Sequence, residues 1–249
     1  MTSMLRLSGV SKIYGRGAGA VHALDSVSLD VVAGEFVCLV GASGCGKSTL
    51  LSLVAGLDPV STGEIEVAGG KTPALMFQDP ALFPWLSVAG NVGLPLKVRR
   101  VPKPQRLARV DELLRTVHLE DFARKQPHEL SGGMRQRVAL ARTLALDSSV
   151  LLMDEPFGAL DAMTRDILHD ELERIWVERR LTVVFVTHNV REAARLGDRI
   201  VLLSSRPGRI AFETRVDIPR PRRIDSPEVS SLAAEITDRL RGEVRRHGG

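Results

Sequence analysis

The sequence predicts an α/β protein built on a mostly parallel sheet, and three observations carry that prediction. The run "FVCLV" (36–40) is apolar throughout, as a strand buried on both faces must be. A glycine-rich loop follows it directly and opens into a helix. From residue 149 onward strands and helices alternate, which places helices around a parallel sheet. Between these two regions, residues from about 86 to 147 read as mainly helical, so a helical subdomain is inserted into the α/β core.

Near the N-terminus, "LRL" and "VSLDV" alternate apolar with polar residues, and Ala33-Gly34-Glu35 reads as a turn before the apolar run. The helix after the glycine loop carries Leu50, Leu51, Val54 and Leu57 on one side, and Asp58-Pro59 ends it. "GEIEV" is a short strand. In the helical insertion Leu107, Val110, Leu114 and Val117 follow helical spacing, with Pro102 and Pro104 marking the loop before them. "VLLMDE" then reads as a strand, 161–179 as a helix, "TVVFVTH" as a strand, 190–196 as a helix stopped by Gly197, and "RIVLL" as a strand. The division falls into residues 1–212 and a charged C-terminal extension, 213–249, in which Ser226-Pro227 opens a helix reaching about Arg241.

Composition narrows the function classes. With 249 residues, 44% hydrophobic and 26% charged, the chain can bury an ordinary core, and disorder is not implied. No apolar run is long enough to span a membrane, and "MTSMLRLSGV" has no secretory apolar region. Cys38 and Cys45 make no disulfide framework, which suits a reducing cytosol. A net charge of +4 permits an anionic partner without requiring nucleic acid. Between 97 and 109 lie six basic residues and no acid, read either as a solvated face or as a contact with an anionic membrane surface or partner.

"GASGCGKST" fits G-x-x-x-x-G-K-[ST] between a strand and a helix. The loop consists of Gly41, Ala42, Ser43, Gly44, Cys45, Gly46, Lys47, Ser48 and Thr49. Its backbone N–H groups would wrap phosphates, Lys47 would supply a point charge, and the Ser48 hydroxyl would face Mg²⁺. In "VLLMDEP" a strand delivers Asp154 to the sheet edge, where it can hold Mg²⁺, while Glu155 is the candidate to polarise an attacking water. Gln78, in "LMFQDP", could reach the metal or water; taken alone it reads as a surface residue. His188 ends a strand at the edge that faces ligands in parallel sheets, although a lone histidine is more often structural. Tyr14, the one tyrosine, could stack on adenine or sit in the core. "HELSGGMRQRVALAR" starts a second helix with Ser131 as cap and Gly132 and Gly133 open to close approach, a second anion-binding helix start in one chain.

In their order, Tyr14, "GASGCGKST", "FQDP", "LSGGM", "VLLMDEPFGALD" and "VTHN" resemble the nucleotide-binding subunit of an ABC transporter, from about residue 4 to 212. The resemblance implies a P-loop NTPase core with an N-terminal antiparallel β subdomain and an inserted helical signature subdomain. It makes 41–49 the Walker A loop, Gln78 the Q-loop, 130–134 the signature, Asp154-Glu155 the Walker B pair, 159–161 with Asp161 the D-loop, His188 the switch and Tyr14 the adenine-stacking aromatic. Met134 stands where the commonest signature has glutamine. ATP and Mg²⁺ are the implied cofactors.

The same resemblance implies a head-to-tail dimer with a second copy, each ATP lying between one chain's Walker A and the other's signature. "ALFPWLSVAGNV", "MDEPFGALDAMTR" and "SSRPGRI" are similar to the importer group for nitrate, sulfonate and taurine. Transmembrane permease subunits, an extracytoplasmic solute-binding protein and peripheral attachment to the cytoplasmic membrane face follow from that likeness. The apolar residues from Leu82 to Leu86 are read as interface or core. A soluble ABC ATPase acting on nucleic acid or ribosomes is the competing class. Its relatives carry either a long coiled coil between Walker A and signature or two cassettes, and this chain has neither. Glu155 and His188 argue against a regulator without turnover.

Overall fold

A computed structural model describes residues 2–247. Its strands form two sheets. In the first, β1 (Ser3–Tyr14) lies between β2 (Val21–Val32) and β4 (Thr62–Val67), antiparallel to both. The second holds β3 (Phe36–Val40), β5 (Ala74–Met76), β6 (Val150–Asp154), β7 (Thr182–Thr187), β8 (Arg199–Leu203) and β9 (Ile210–Arg215). Their order is β5-β6-β7-β3-β8-β9, with only β9 antiparallel to its neighbour. The α/β architecture with an antiparallel N-terminal sheet is thus the one expected.

Successive side chains of a strand point to opposite faces, and β3 shows how this divides the interior. Phe36, Cys38 and Val40 join one core, whereas Val37 and Leu39 join another. The second core is closed by α1 (Lys47–Val54) and the antiparallel sheet. The first is closed by α2 (Val88–Val98), α3 (Lys103–Thr116), α4 (Gly132–Leu144), α5 (Ala162–Arg179), α6 (Val190–Leu196) and α7 (Pro227–His247). A sheet covered on both faces explains why β3 and residues 183–186 of β7 read as unbroken apolar runs.

Several boundaries differ from the sequence reading. α1 stops at Val54, and Gly56, at φ 70°, turns the chain so that Leu57 is exposed rather than on the apolar side. Pro104 lies in the first turn of α3 instead of the preceding loop, where a missing N–H costs nothing. The division drawn at 212 falls inside β9, and α7 runs on to His247 with Val229, Ala233 and Ile236 in the first core. Leu107, expected on the apolar side of α3, is exposed. The basic run on α2 and α3 is mostly exposed, with Arg109 paired to Glu112 and Asp147. The Leu82–Leu86 region divides: Leu82 packs on the core, while Trp85 is 71% exposed beside Phe83. Buried Asn91 holds this turn by donating to Phe83 O, Leu86 O and Ser87 O. Among the described residues no helix is long and apolar enough to cross a membrane.

Candidate active site

The loop between β3 and α1 must turn sharply over the sheet edge. Gly46, the residue before α1, adopts φ 104°, and a Cβ there would lie 2.7 Å from Leu24 Cδ2 and 2.8 Å from Ala23 O. Only glycine fits such a position. Lys47 is buried and folds back, its Nζ donating to Gly41 O at 2.8 Å and Ala42 O at 3.0 Å. The first N–H groups of α1 have no helical acceptors and mark an anion-binding end.

This loop floors an open cleft of about 350 Å³ that Ser43, Gly44, Gly46, Lys47, Ser48 and Thr49 line. Gln78 enters from the segment after β5, and Asp154 and Glu155 from the end of β6. Burial pushes the Asp154 carboxyl up, as does Glu155, while the Ser48 hydroxyl and Lys47 hold it down. Carboxylate, hydroxyl and amide oxygens from Asp154, Ser48 and Gln78 are a hard donor set of the kind Mg²⁺ takes, leaving room for water and phosphate oxygens.

Glu155 sits at φ 45°, in the left-handed region, fixed by its N–H on Val186 O at 2.9 Å. Its Oε2 lies 2.7 Å from Nδ1 of the exposed His188. A Cβ on Gly158 would come 3.7 Å from His188 Cε1 and 3.8 Å from Gln78 Nε2, so the three side chains gather round one turn. Strain at a non-glycine residue in such a place is characteristic of working sites.

Other expected residues lie elsewhere. Ser131, Gly132, Gly133, Asp161 and Tyr14 do not line the cleft. Ser131 caps α4, its Oγ accepting from Met134 N at 3.2 Å. A Cβ on Gly133 would lie 2.5 Å from Thr164 Cγ2, so in this chain the glycine admits α5 rather than an outside molecule. Asp161 caps α5, and the Thr164 N–H holds its carboxyl below the usual range. Tyr14 donates to Asp58 Oδ2 at 2.9 Å. Met134 packs against the first core.

Known proteins are similar to this chain. Residues 24–158 match the family model described as ABC transporter. An ABC transporter ATP-binding protein of Methanocaldococcus jannaschii is 44% identical over 98% of this chain and 94% of its own length.

The chain belongs to the ABC transporter family.

The taurine import ATP-binding protein of Rhizobium johnstonii is 46% identical over 93% of the chain and 90% of its own length. A solved dimeric bacterial ABC transporter cassette superposes with a TM-score of 0.77 at 34% identity, over 87% of this chain and all of that one. The fold and the ATPase class expected from the motifs are those of this family.

Within the cassette, sequence reasoning missed the residues that tie the motifs together. Gln136 of α4 donates to Gln78 O at 3.0 Å, and Arg142 donates to Pro80 O and Ala81 O at 2.6 and 2.8 Å. Helix α4 therefore carries the segment 78–81 on its flank. Buried Glu192 accepts from Thr187 Oγ1 at 2.6 Å, next to His188, and lies 3.5 Å from Arg165 Nε and 3.6 Å from His169 Nε2. Arg165 in turn donates to Phe157 O and Leu160 O. Charged residues at buried positions gave no periodic signal, because their partners come from another helix.

One buried acid makes stability depend on pH. Burial pushes the Glu171 carboxyl from 4.5 up to about 7, although Arg137 of α4, 3.1 Å away, pulls it down, as Arg174 does. The folded protein thus holds a proton that the unfolded chain releases, so stability falls as pH rises from about 4.5 to about 7. Glu171→Gln removes that loss. Urea titrations at pH 5 and 7.5 are expected to show a flatter profile for the variant, and a gain at the higher pH of up to about 3 kcal/mol.

Proposed function

We propose that this chain is the ATP-hydrolysing subunit of an importer and acts as a head-to-tail dimer with a second copy. The observation that carries the reading is the separation, within one chain, of the loop cleft from the Ser131 helix start. Each phosphate-binding feature then lacks its complement until another copy supplies it. The dimeric state of the similar cassette supports this, and Asp161 would cross the same interface.

In this reading Walker A, residues 41–49, holds the phosphates, with Lys47 turning from its loop carbonyls to the nucleotide. Ser48, Asp154 and Gln78 hold Mg²⁺, which neutralises phosphate charge when bound. Tyr14 stacks on adenine. Glu155 polarises the attacking water, and His188, already on Glu155 Oε2 at 2.7 Å, meets the γ-phosphate. A γ-phosphate held by two chains favours the closed dimer, and its loss on hydrolysis reopens it.

The partners are transmembrane permease subunits and, through them, an extracytoplasmic solute-binding protein, with the ATPase peripheral on the cytoplasmic face. The taurine import protein among its relatives supports a sulfonate-, taurine- or nitrate-type cargo. Exposed Trp85 beside Phe83 gives the permease an apolar contact. Co-expression with the cognate permease tests the proposal. The expected result is a complex that co-purifies and hydrolyses ATP faster than the free chain. Stimulation by DNA or ribosomes, with none by permease, would overturn it.

A further inference from the structure

The connection between β8 and β9, within "SSRPGRI", has no role in the nucleotide site described above, yet it is built against the phosphate loop. Gly208 N donates to Ala23 O at 2.9 Å, and Asp25 N donates to Gly208 O at 3.0 Å. A Cβ on Gly208 would lie 2.2 Å from Cys45 O, so the glycine is what lets this connection rest on the loop. Internal bonds keep its shape: Ser204 N donates to Arg209 O at 2.8 Å, and Arg209 N to Ser204 Oγ at 3.0 Å.

Two arginines project from this braced segment, in different circumstances. Arg209 is neutralised by Asp25, with Nε 2.9 Å from Oδ2. Arg206 makes no ion pair among the described residues; its Nη2 donates to Gly44 O at 3.3 Å, and the side chain lines the cleft that holds Lys47 and Asp154. A guanidinium has five N–H donors in a planar fork, and one bond to Gly44 O leaves most of them free. Among the described residues Lys47 is the only other cation lining that cleft, against the carboxylates of Asp154 and Glu155. On the proposed reading of this cleft as the ATP site, a triphosphate is the ligand that an unneutralised arginine here would meet.

We infer that Arg206 is a second cation of the nucleotide site, held on Gly44 O beside the phosphate loop so that its remaining donors contact the phosphate chain of ATP. The contact adds charge-assisted hydrogen bonds to nucleotide binding. Because Arg206 is exposed, salt weakens that contribution.

Dissociation constants of ATP, ADP and inorganic triphosphate, measured on the full chain and on Arg206→Ala, Arg206→Gln and Arg206→Lys, test this. Arg206→Ala and Arg206→Gln are expected to weaken all three ligands roughly tenfold. Arg206→Lys is expected to keep most of the affinity, and raising salt to narrow the gap between parent and variant. Parent-like ATP binding by Arg206→Ala overturns the proposal. Parent-like binding by Arg206→Gln beside a weakened Arg206→Ala also overturns it, since glutamine can still donate to Gly44 O and the arginine would then be only a brace. A third contrary result is loss of affinity in Arg206→Lys as large as in Arg206→Ala, together with a lowered melting temperature in the absence of nucleotide. That would assign the arginine to the shape of the loop.

Discussion

Replacing Glu155 by glutamine is expected to cut ATP turnover by about 10²–10³-fold while leaving ATP affinity within about twofold of the parent. The physical ground is the difference between a carboxylate and an amide of the same shape. Glutamine fits the φ 45° position as well as glutamate does, and can still reach His188, which lies 2.7 Å from Oε2. It cannot draw a proton from water. In the proposed function the phosphates are held elsewhere, by the loop after β3 and by Lys47, which line the same cleft, so binding is expected to survive. Affinity without turnover should accumulate the closed state. Size-exclusion chromatography of Glu155→Gln with ATP is therefore expected to show a dimer that the parent forms only transiently. Single-turnover hydrolysis at the parent rate would remove Glu155 from the role assigned to it.

Why the residues of the candidate cleft stand out in the sequence is a matter of topology. In a parallel sheet every strand ends at the same edge, so polar residues that follow apolar runs converge there. Gly41 after β3, Asp154 at the end of β6 and His188 after β7 all obey this rule. The strands that escaped notice lack the pattern. β5 is three residues long, too short to display a period. β9 alternates half-buried with exposed residues and carries Glu213 and Arg215, so its charges read as the start of a tail. Leu57 failed for a local reason, the left-handed turn at Gly56 that no count of apolar spacing contains.

The supporting residues were hidden by a different cause. Glu192 and Gln136 are polar yet buried, which is tolerable only with partners. Those partners lie on other elements: Arg165 on α5 for Glu192, and the backbone of Gln78 for Gln136. Spacing along one helix holds no record of such pairs. The Leu82–Leu86 region shows the same limit in miniature, since Leu82 and Trp85 share an apolar run but face core and solvent respectively. Asn91, which shapes that turn through three donated bonds, is polar and sits within α2.

The largest effect is expected from dividing two lesions between two chains. Lys47→Ala removes the loop lysine from the cleft, and Ser131→Arg fills the start of α4. Each homodimer is expected to lose about 10²-fold or more of its ATPase activity, because either lesion falls in both sites. Ser131→Arg also removes the Oγ that accepts from Met134 N at 3.2 Å, a cap worth about 1 kcal/mol, so melting temperatures must accompany the assay. In a mixed dimer of the two variants, head-to-tail packing puts both lesions into one site and leaves the other whole. Were each site made within a single chain, every site would carry one lesion. Differently tagged chains, both also bearing Glu155→Gln to stop turnover, separate these cases by counting nucleotide. Tandem purification followed by nucleotide extraction is expected to give one tightly held ATP per mixed dimer. A count near zero would refute the shared site, whereas one bound ATP with no hydrolysis after Glu155 is restored would show that two intact sites must fire together.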